Sequence, residues 1–349
     1  MKLHLAKLPL ARRLIAPLRT VPIVAALGLW LTATGCFLGG GDLPSVAYVS
    51  GDQDQARVWI SQPGEDEPVN ISPRNARAGF PRWSAEQRYL AWISNREVPL
   101  LMVYDVTTEE TELLVSGIDP SQPPVWAPEA DRVAYVSDAG GSPDIYMVEL
   151  ATGQATRLTF SQERETIGDW SPDGQWLVFT EAGRDGLLLR NPTGVNRIEL
   201  TDGADSHPVW SPKGDRIAFV RETERGQDIY VLRPTRSDNW ADDTDEVAVA
   251  NDEYDELQPA WSADGRRLAF VVQFDDQSDI FTVLSDGSQR EQLTYNTVDD
   301  MMPVWSGRGD KIAFVSHAYG NSEILYMNRD GADQIRLTTT DQMDSHPDW

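Results

Sequence analysis

Acidic side chains recur at one place in a repeated segment of this chain, five residues before a tryptophan. The members of this acid set are Glu165, Asp205, Glu256, Asp300 and Asp344. If the repeats stack around one axis, equivalent positions lie around one opening, so the set predicts an electronegative ring at the mouth of a channel. Such a ring would attract a cation, a basic peptide or a basic segment of a partner. The alternative is that each acid caps a turn and stays solvated.

Two histidines occupy equivalent places in the segments Asp-Ser-His-Pro, His207 and His346. A histidine beside a carboxylate is able to ligate a metal ion or act as a general base. The alternative is that both are loop residues that hydrogen-bond a neighbouring repeat. His4 and His317 are the only other histidines, so we predict no zinc site, no cofactor and no catalytic residue; the two histidines join the acid set as candidate binding residues of the channel mouth.

The repeat itself is built around a tryptophan and the turn after it. Residues 208–220 carry its fullest form, a Pro-x-Trp-Ser-Pro segment followed by a short apolar run. Successive repeats are 43, 44, 40, 51, 44 and 44 residues apart, measured between the marker tryptophans Trp83, Trp126, Trp170, Trp210, Trp261, Trp305 and Trp349. Short apolar runs between turn signals predict strands, and a period of 40 to 50 residues predicts the blades of a β-propeller.

These residues resemble the WD40-like, TolB-type propeller repeat, also called PD40. The resemblance lies in Trp-Ser-Pro-Asp-Gly at residues 170–174, apolar-Ala-Phe at 217–219 and Asp-Ile-Tyr at 228–230, and it covers residues 45–349. It implies four antiparallel strands per blade, and it leaves the activity open because one fold supports many functions. The familiar TolB propeller has six blades, whereas seven markers predict seven here.

The two ends of the repeat region complement each other. Val46–Ser50 matches the second strand of a blade with no first strand before it, and 345–349 matches a first strand with no blade after it. We therefore predict an all-β, single seven-bladed propeller in which the C-terminal strand completes the first blade, since closure removes exposed sheet edges.

The N-terminal residues predict that the protein is exported from the cytoplasm. Residues 1–35 combine basic residues without acids, an apolar run and small residues before the only cysteine, a pattern typical of a signal peptide. The residues before Cys36 resemble the bacterial lipobox, so we predict a lipidated Cys36, a tether at 36–44 and a propeller at 45–349. The alternative is an uncleaved signal anchor. This organisation predicts attachment to the bacterial cell envelope, on its periplasmic or extracellular face.

Charge and motifs limit the function. The formal net charge is −25, and loss of a leader with five basic residues makes it −30, which argues against a nucleic-acid partner. The sequence lacks Gly-x-Ser-x-Gly, a P-loop and His-Glu-x-x-His. We expect a non-catalytic module that binds an envelope protein or a cationic peptide or ligand. The alternative is a propeller enzyme with a site at the channel mouth. It would be either hydrolase-like or similar to some polysaccharide lyases that resemble this repeat.

Changing Cys36 to Ser tests the anchor. Without the thiol no acyl chain attaches, so we expect the variant to leave the membrane fraction and to lose labelling by a palmitate analogue. A variant that stays in membranes and resists carbonate extraction would instead indicate an uncleaved helix.

Overall fold

The computed structural model describes residues 44–349 except 53, 66, 194–195, 236–239 and 241–243. Its described residues form 28 strands in seven four-stranded antiparallel sheets, each one blade of a propeller. The predicted signal peptide, Cys36 and all of the tether but Pro44 lie outside these residues. The described part of the chain contains no helix long and apolar enough to cross a membrane.

The first four blades follow the chain from its described start. Blade 1 holds β1 (Val46–Ser50), β2 (Arg57–Ser61) and β3 (Val69–Asn70). Blade 2 holds β4 (Ala78–Trp83), β5 (Tyr89–Ser94), β6 (Leu100–Asp105) and β7 (Glu110–Ser116). Blade 3 holds β8 (Val125–Trp126), β9 (Arg132–Ser137), β10 (Asp144–Glu149) and β11 (Ala155–Arg157). Blade 4 holds β12 (Glu165–Trp170), β13 (Leu177–Glu181), β14 (Leu188–Arg190) and β15 (Arg197–Glu199).

The remaining blades repeat the same order. Blade 5 holds β16 (Asp205–Trp210), β17 (Ile217–Thr223), β18 (Gly226–Pro234) and β19 (Thr244–Ala250). Blade 6 holds β20 (Asp255–Trp261), β21 (Arg267–Gln273), β22 (Ser278–Leu284) and β23 (Glu291–Gln292). Blade 7 holds β24 (Asp300–Trp305), β25 (Lys311–Ser316), β26 (Glu323–Asn328) and β27 (Ile335–Arg336), and the last strand is β28 (Asp344–Asp348).

The core lies between blades rather than inside any one of them. One hydrophobic cluster, for example, joins Val136 and Ile145 of blade 3 to Trp170, Leu177 and Phe179 of blade 4. The second strands are buried on both faces because a neighbouring blade covers each face. Blade 4 has Gly168 where most blades have proline; a Cβ there would lie 2.6 Å from the Pro208 side chain of blade 5, so only glycine fits without rearrangement.

The C-terminal strand closes the ring. β28 pairs antiparallel with β1, giving a sheet of order β28-β1-β2-β3. The Trp349 indole N–H donates to the Pro44 carbonyl at 2.7 Å, and the Trp83 amide donates to Asp348 Oδ2 at 2.6 Å. These contacts attach the strand to its own blade and to blade 2. The prediction of seven blades closed by the C-terminal strand is confirmed.

Deleting 345–349 tests the closing strand. The deletion exposes β1 and removes the half-buried Trp349, so we expect a lower melting temperature or aggregation. The single variant His346→Ala serves as the control, because it keeps the strand pairing. A truncated protein that melts with the parent would contradict the closure.

Candidate functional site

The innermost strands carry a recurring irregularity three residues before the marker tryptophan. Residues at this position have φ between 51° and 55° in five blades: Phe80, His207, Gln258, Met302 and His346. The strand pairing slips by one residue at the same place, as a β-bulge does. Left-handed backbone costs energy for a residue with a side chain, and such strain collects at functional sites.

The acid set lies inside the blade interfaces. Its five members head the innermost strands, and none is more than 9% exposed. Asp205 accepts a bidentate pair of hydrogen bonds from Arg221 at 2.6 and 2.8 Å, and Glu256 accepts one from Arg290 at 2.8 Å. The structure therefore places these acids in buried positions, where Asp205 and Glu256 are paired with arginines, and a binding role for the acid set at the channel mouth stays a prediction.

At two blade interfaces, a threonine hydroxyl donates a hydrogen bond to one of a pair of neighbouring carboxyl groups. At one joint the Thr159 hydroxyl donates to Glu165, with Asp144 of the same interface nearby. At the closing joint the Thr338 hydroxyl donates to Glu323 Oε2 at 2.6 Å, and Glu323 lies close enough to Asp344 to affect it. These joints hold two carboxyl groups each, so protonation of one member relieves their repulsion.

Burial dominates the titration of these groups. It raises the pKa of Glu165 and of Glu256 to about 7 and that of Asp344 to about 6, despite hydrogen bonds that act in the opposite direction. Burial also raises the pKa of Asp300. Burial therefore makes these four carboxyl groups easier to protonate than exposed ones.

The two histidines lie on different blades and do not share a partner. His207 is exposed, and its Nδ1 lies 3.0 Å from the Ser206 hydroxyl. His346 is half-buried, with its ring 4.7 Å from the Phe80 ring in an edge-on arrangement. Burial, with the charge of Arg82, lowers the pKa of His346 to about 4, so this imidazole is neutral at neutral pH. Within the described ranges no three His, Cys, Asp or Glu side chains are placed to hold a metal ion.

A cavity of about 590 Å³ opens beside His346 and is lined mainly by residues of blades 1 and 2. Its wall includes Phe80 and His346 together with four charged residues, Asp54, Arg77, Arg96 and Glu97. Asp54 and Arg77 form an ion pair at 2.9 Å, whereas no ion pair joins Arg96 to Glu97 in the described structure. The repeat pattern did not point to Arg77 or Arg96, because it marks neither position. We call this space the mouth cavity.

The cavity opens on the face formed by two kinds of loop, which the antiparallel order places on the same side. We call it the mouth face; it comprises the loops 51–56, 71–77, 95–99, 117–124, 138–143, 158–164, 182–187, 200–204, 224–225, 251–254, 274–277, 293–299, 317–322 and 337–343. It is the face on which the channel-mouth site was predicted. Its described residues include exposed acids that the acid set did not contain, among them Glu222 at its edge, Glu224, Asp275 and Asp276.

Glu165 allows the titration to be tested. The folded state holds the Glu165 proton more tightly than the unfolded state, so stability from this group is lost as pH rises through about 7. Relative to Glu165→Gln, we expect the parent to lose up to about 3 kcal/mol of unfolding free energy between pH 4.5 and 8, at about 1.4 kcal/mol per pKa unit. Urea unfolding across this range measures the difference. Glu163→Gln, a change at an exposed neighbour, is the control, because it keeps Glu165 and should lose stability with pH as the parent does. Equal pH profiles for the parent and Glu165→Gln would contradict the assignment.

Known proteins match both the sequence and the fold. A family model for the TolB beta propeller domain, PD40, matches residues 41–239 and 207–349. A protein TolB homolog of Chlorobium luteolum is 32% identical over 144 residues, which cover 40% of this chain and 31% of that protein. The match thus spans less than a third of the relative's length.

Two solved structures show the likeness of fold. TolB from Acinetobacter baumannii has 18% identity and a TM-score of 0.57, over 88% of this chain and 67% of that one. An oligogalacturonate lyase from Vibrio parahaemolyticus has 15% identity and a TM-score of 0.60, over 80% and 85%. Since the family model matches almost every described residue, the chain belongs to the TolB β-propeller family.

Proposed function

We propose that this propeller is a lipid-anchored module of the bacterial cell envelope that binds a partner protein through its mouth face and is not itself a catalyst. One observation carries the proposal. Eight large apolar side chains are exposed among the described residues, and five of them lie on the mouth face: Val98, Phe160, Tyr295, Tyr319 and Met343. Exposed apolar groups gathered on one face are typical of an interaction surface.

The other three exposed apolar residues lie on outermost strands, and the hairpins after the marker tryptophans contribute none in the described part of the chain. The two ends of the propeller therefore differ in exposed apolar surface, which, among the described residues, is found on the mouth face and not on the opposite hairpins. Tyr295 is 75% exposed and Phe160 65% exposed, so each offers a large ring for burial. Aromatic side chains are enriched where partners bind.

Charge on the mouth face supports a partner with a basic segment. Glu222, Glu224, Asp275 and Asp276 are exposed on adjacent blades 5 and 6, with Arg225 among them. Exposed carboxylates of this kind speed the approach of a basic surface, an effect that salt screens. We therefore keep the proposal of a cationic partner, but with these exposed acids as its binding residues in place of the buried acid set.

The envelope location rests on the sequence. A basic and apolar leader followed by Cys36 supports export and lipid attachment, and a short tether would hold the propeller near the membrane surface.

A propeller enzyme is the second candidate, and the mouth cavity favours it. The cavity brings together Arg77, Arg96 and the neutral imidazole of His346. The fold also resembles that of an oligogalacturonate lyase. Release of unsaturated sugar from oligogalacturonate by the purified protein, lost in His346→Ala, would support this candidate over the binding module.

Replacing Phe160, Tyr295 and Tyr319 by Ser tests the binding face. Less apolar surface is then available for burial, so we expect cross-linked capture of the partner from the protein's own envelope to fall at least tenfold in the triple variant. Leu113→Ser with Ile335→Ser is the matched control, because these side chains are similarly exposed on outer strands. Equal loss in the control, or unchanged capture by the triple variant, would contradict a role for the mouth face.

A further inference from the structure

Arg96 carries a charge that its surroundings do not balance. Its Nη2 donates to the neutral Asn75 Oδ1 at 3.2 Å, while its Nε is buried with no acceptor in the described structure. The side chain is half-buried in the wall of the mouth cavity. A partly desolvated guanidinium without a counterion favours the binding of an anion.

The other titratable groups of the cavity do not neutralise the charge of Arg96. Asp54 pairs with Arg77 rather than with Arg96. Glu97 is exposed to solvent, and no ion pair between it and Arg96 occurs in the described part of the chain. Burial keeps His346 neutral by lowering its pKa to about 4. The free guanidinium is therefore the charge that a ligand meets at this wall.

Part of the cavity wall is apolar, and the cavity has room for a side chain. Ile93 is almost completely buried beneath it, Phe80 forms one side, and Met343 stands 56% exposed at the rim. Gly79 also lines the cavity, and a Cβ added there would meet no atom within 4 Å. A volume of about 590 Å³ suits a short ligand.

We propose that the mouth cavity binds the C-terminal carboxylate and last apolar side chain of an extended peptide, with Arg96 holding the carboxylate. This inference rests on the proposed function, because it names the ligand class taken at the same face. Arginine presents a planar fork that matches a carboxylate, which accounts for the anionic group. The apolar part of the wall, at Phe80, Ile93 and Met343, suits the last side chain of the peptide, because apolar surface is buried there without leaving a polar group unpaired.

Fluorescence anisotropy with a labelled pentapeptide ending in phenylalanine tests the proposal. The free acid is compared with its C-terminal amide, and we expect the acid to bind the parent at least tenfold more tightly. Arg96→Gln should remove this preference, and Gly79→Trp should weaken both peptides by filling the cavity. Arg308→Gln, at an exposed arginine in a hairpin at the other end of the propeller, is the control and should keep the preference. Circular dichroism melts establish that each variant is folded.

Equal binding of acid and amide, or a preference that survives Arg96→Gln, would overturn the proposal. Binding of trigalacturonate in place of the peptide would also overturn it, in favour of an acidic sugar. The variant that lacks the Phe160, Tyr295 and Tyr319 rings should still bind the free acid, because these residues do not line the cavity. If the acid and the amide bind equally while partner capture still depends on those rings, only the carboxylate site is contradicted. If the acid is preferred while partner capture does not depend on those rings, the proposed binding face is contradicted and the cavity site stands.

Discussion

Packing of each blade against its neighbours is the interaction on which the whole structure depends. A four-stranded blade buries neither face alone, and the seven hydrophobic clusters all join strands of adjacent blades. Hydrogen bonds reinforce the same interfaces, since Trp126, Trp261 and Trp305 each donate an indole N–H to a carbonyl of the previous blade. A blade without a neighbour would expose its apolar second strand, so stability requires the ring to close.

The fold could be predicted from the sequence because each repeat encodes the same local features. A tryptophan, a tight turn and a buried apolar run determine the strands, and complementary chain ends predict closure by β28. Side-chain direction on the innermost strand could not be predicted in this way. Alternation along a strand gives the facing of a side chain only while the pairing register is kept. The bulge at positions such as His207 breaks that alternation, so the acids five residues before the tryptophans lie in the interfaces. The repeat pattern also did not predict the edge-on packing of Trp240 against Trp210, with ring centroids 4.8 Å apart.

The burial of the acid set separates stability from recognition in this propeller. Burial raises the pKa of Glu165 and Asp344 at the blade interfaces, whereas exposed residues in the loops above them supply the charge and apolar surface through which we propose that a partner binds. The mouth face thus consists of loops held by paired strands, an arrangement that suits binding residues. Arg96 illustrates the division, because it lies two residues after the buried strand β5 and yet has no carboxylate partner in the described residues.

Hydrogen–deuterium exchange of the propeller with and without its bound partner tests the central claim most directly. Binding at the mouth face should slow exchange in the loops 95–99, 158–164, 293–299 and 317–322 and leave the hairpins after the marker tryptophans unchanged. Protection confined to those hairpins, at 84–88, 171–176 and 306–310, would contradict the account and place the partner at the other end of the channel.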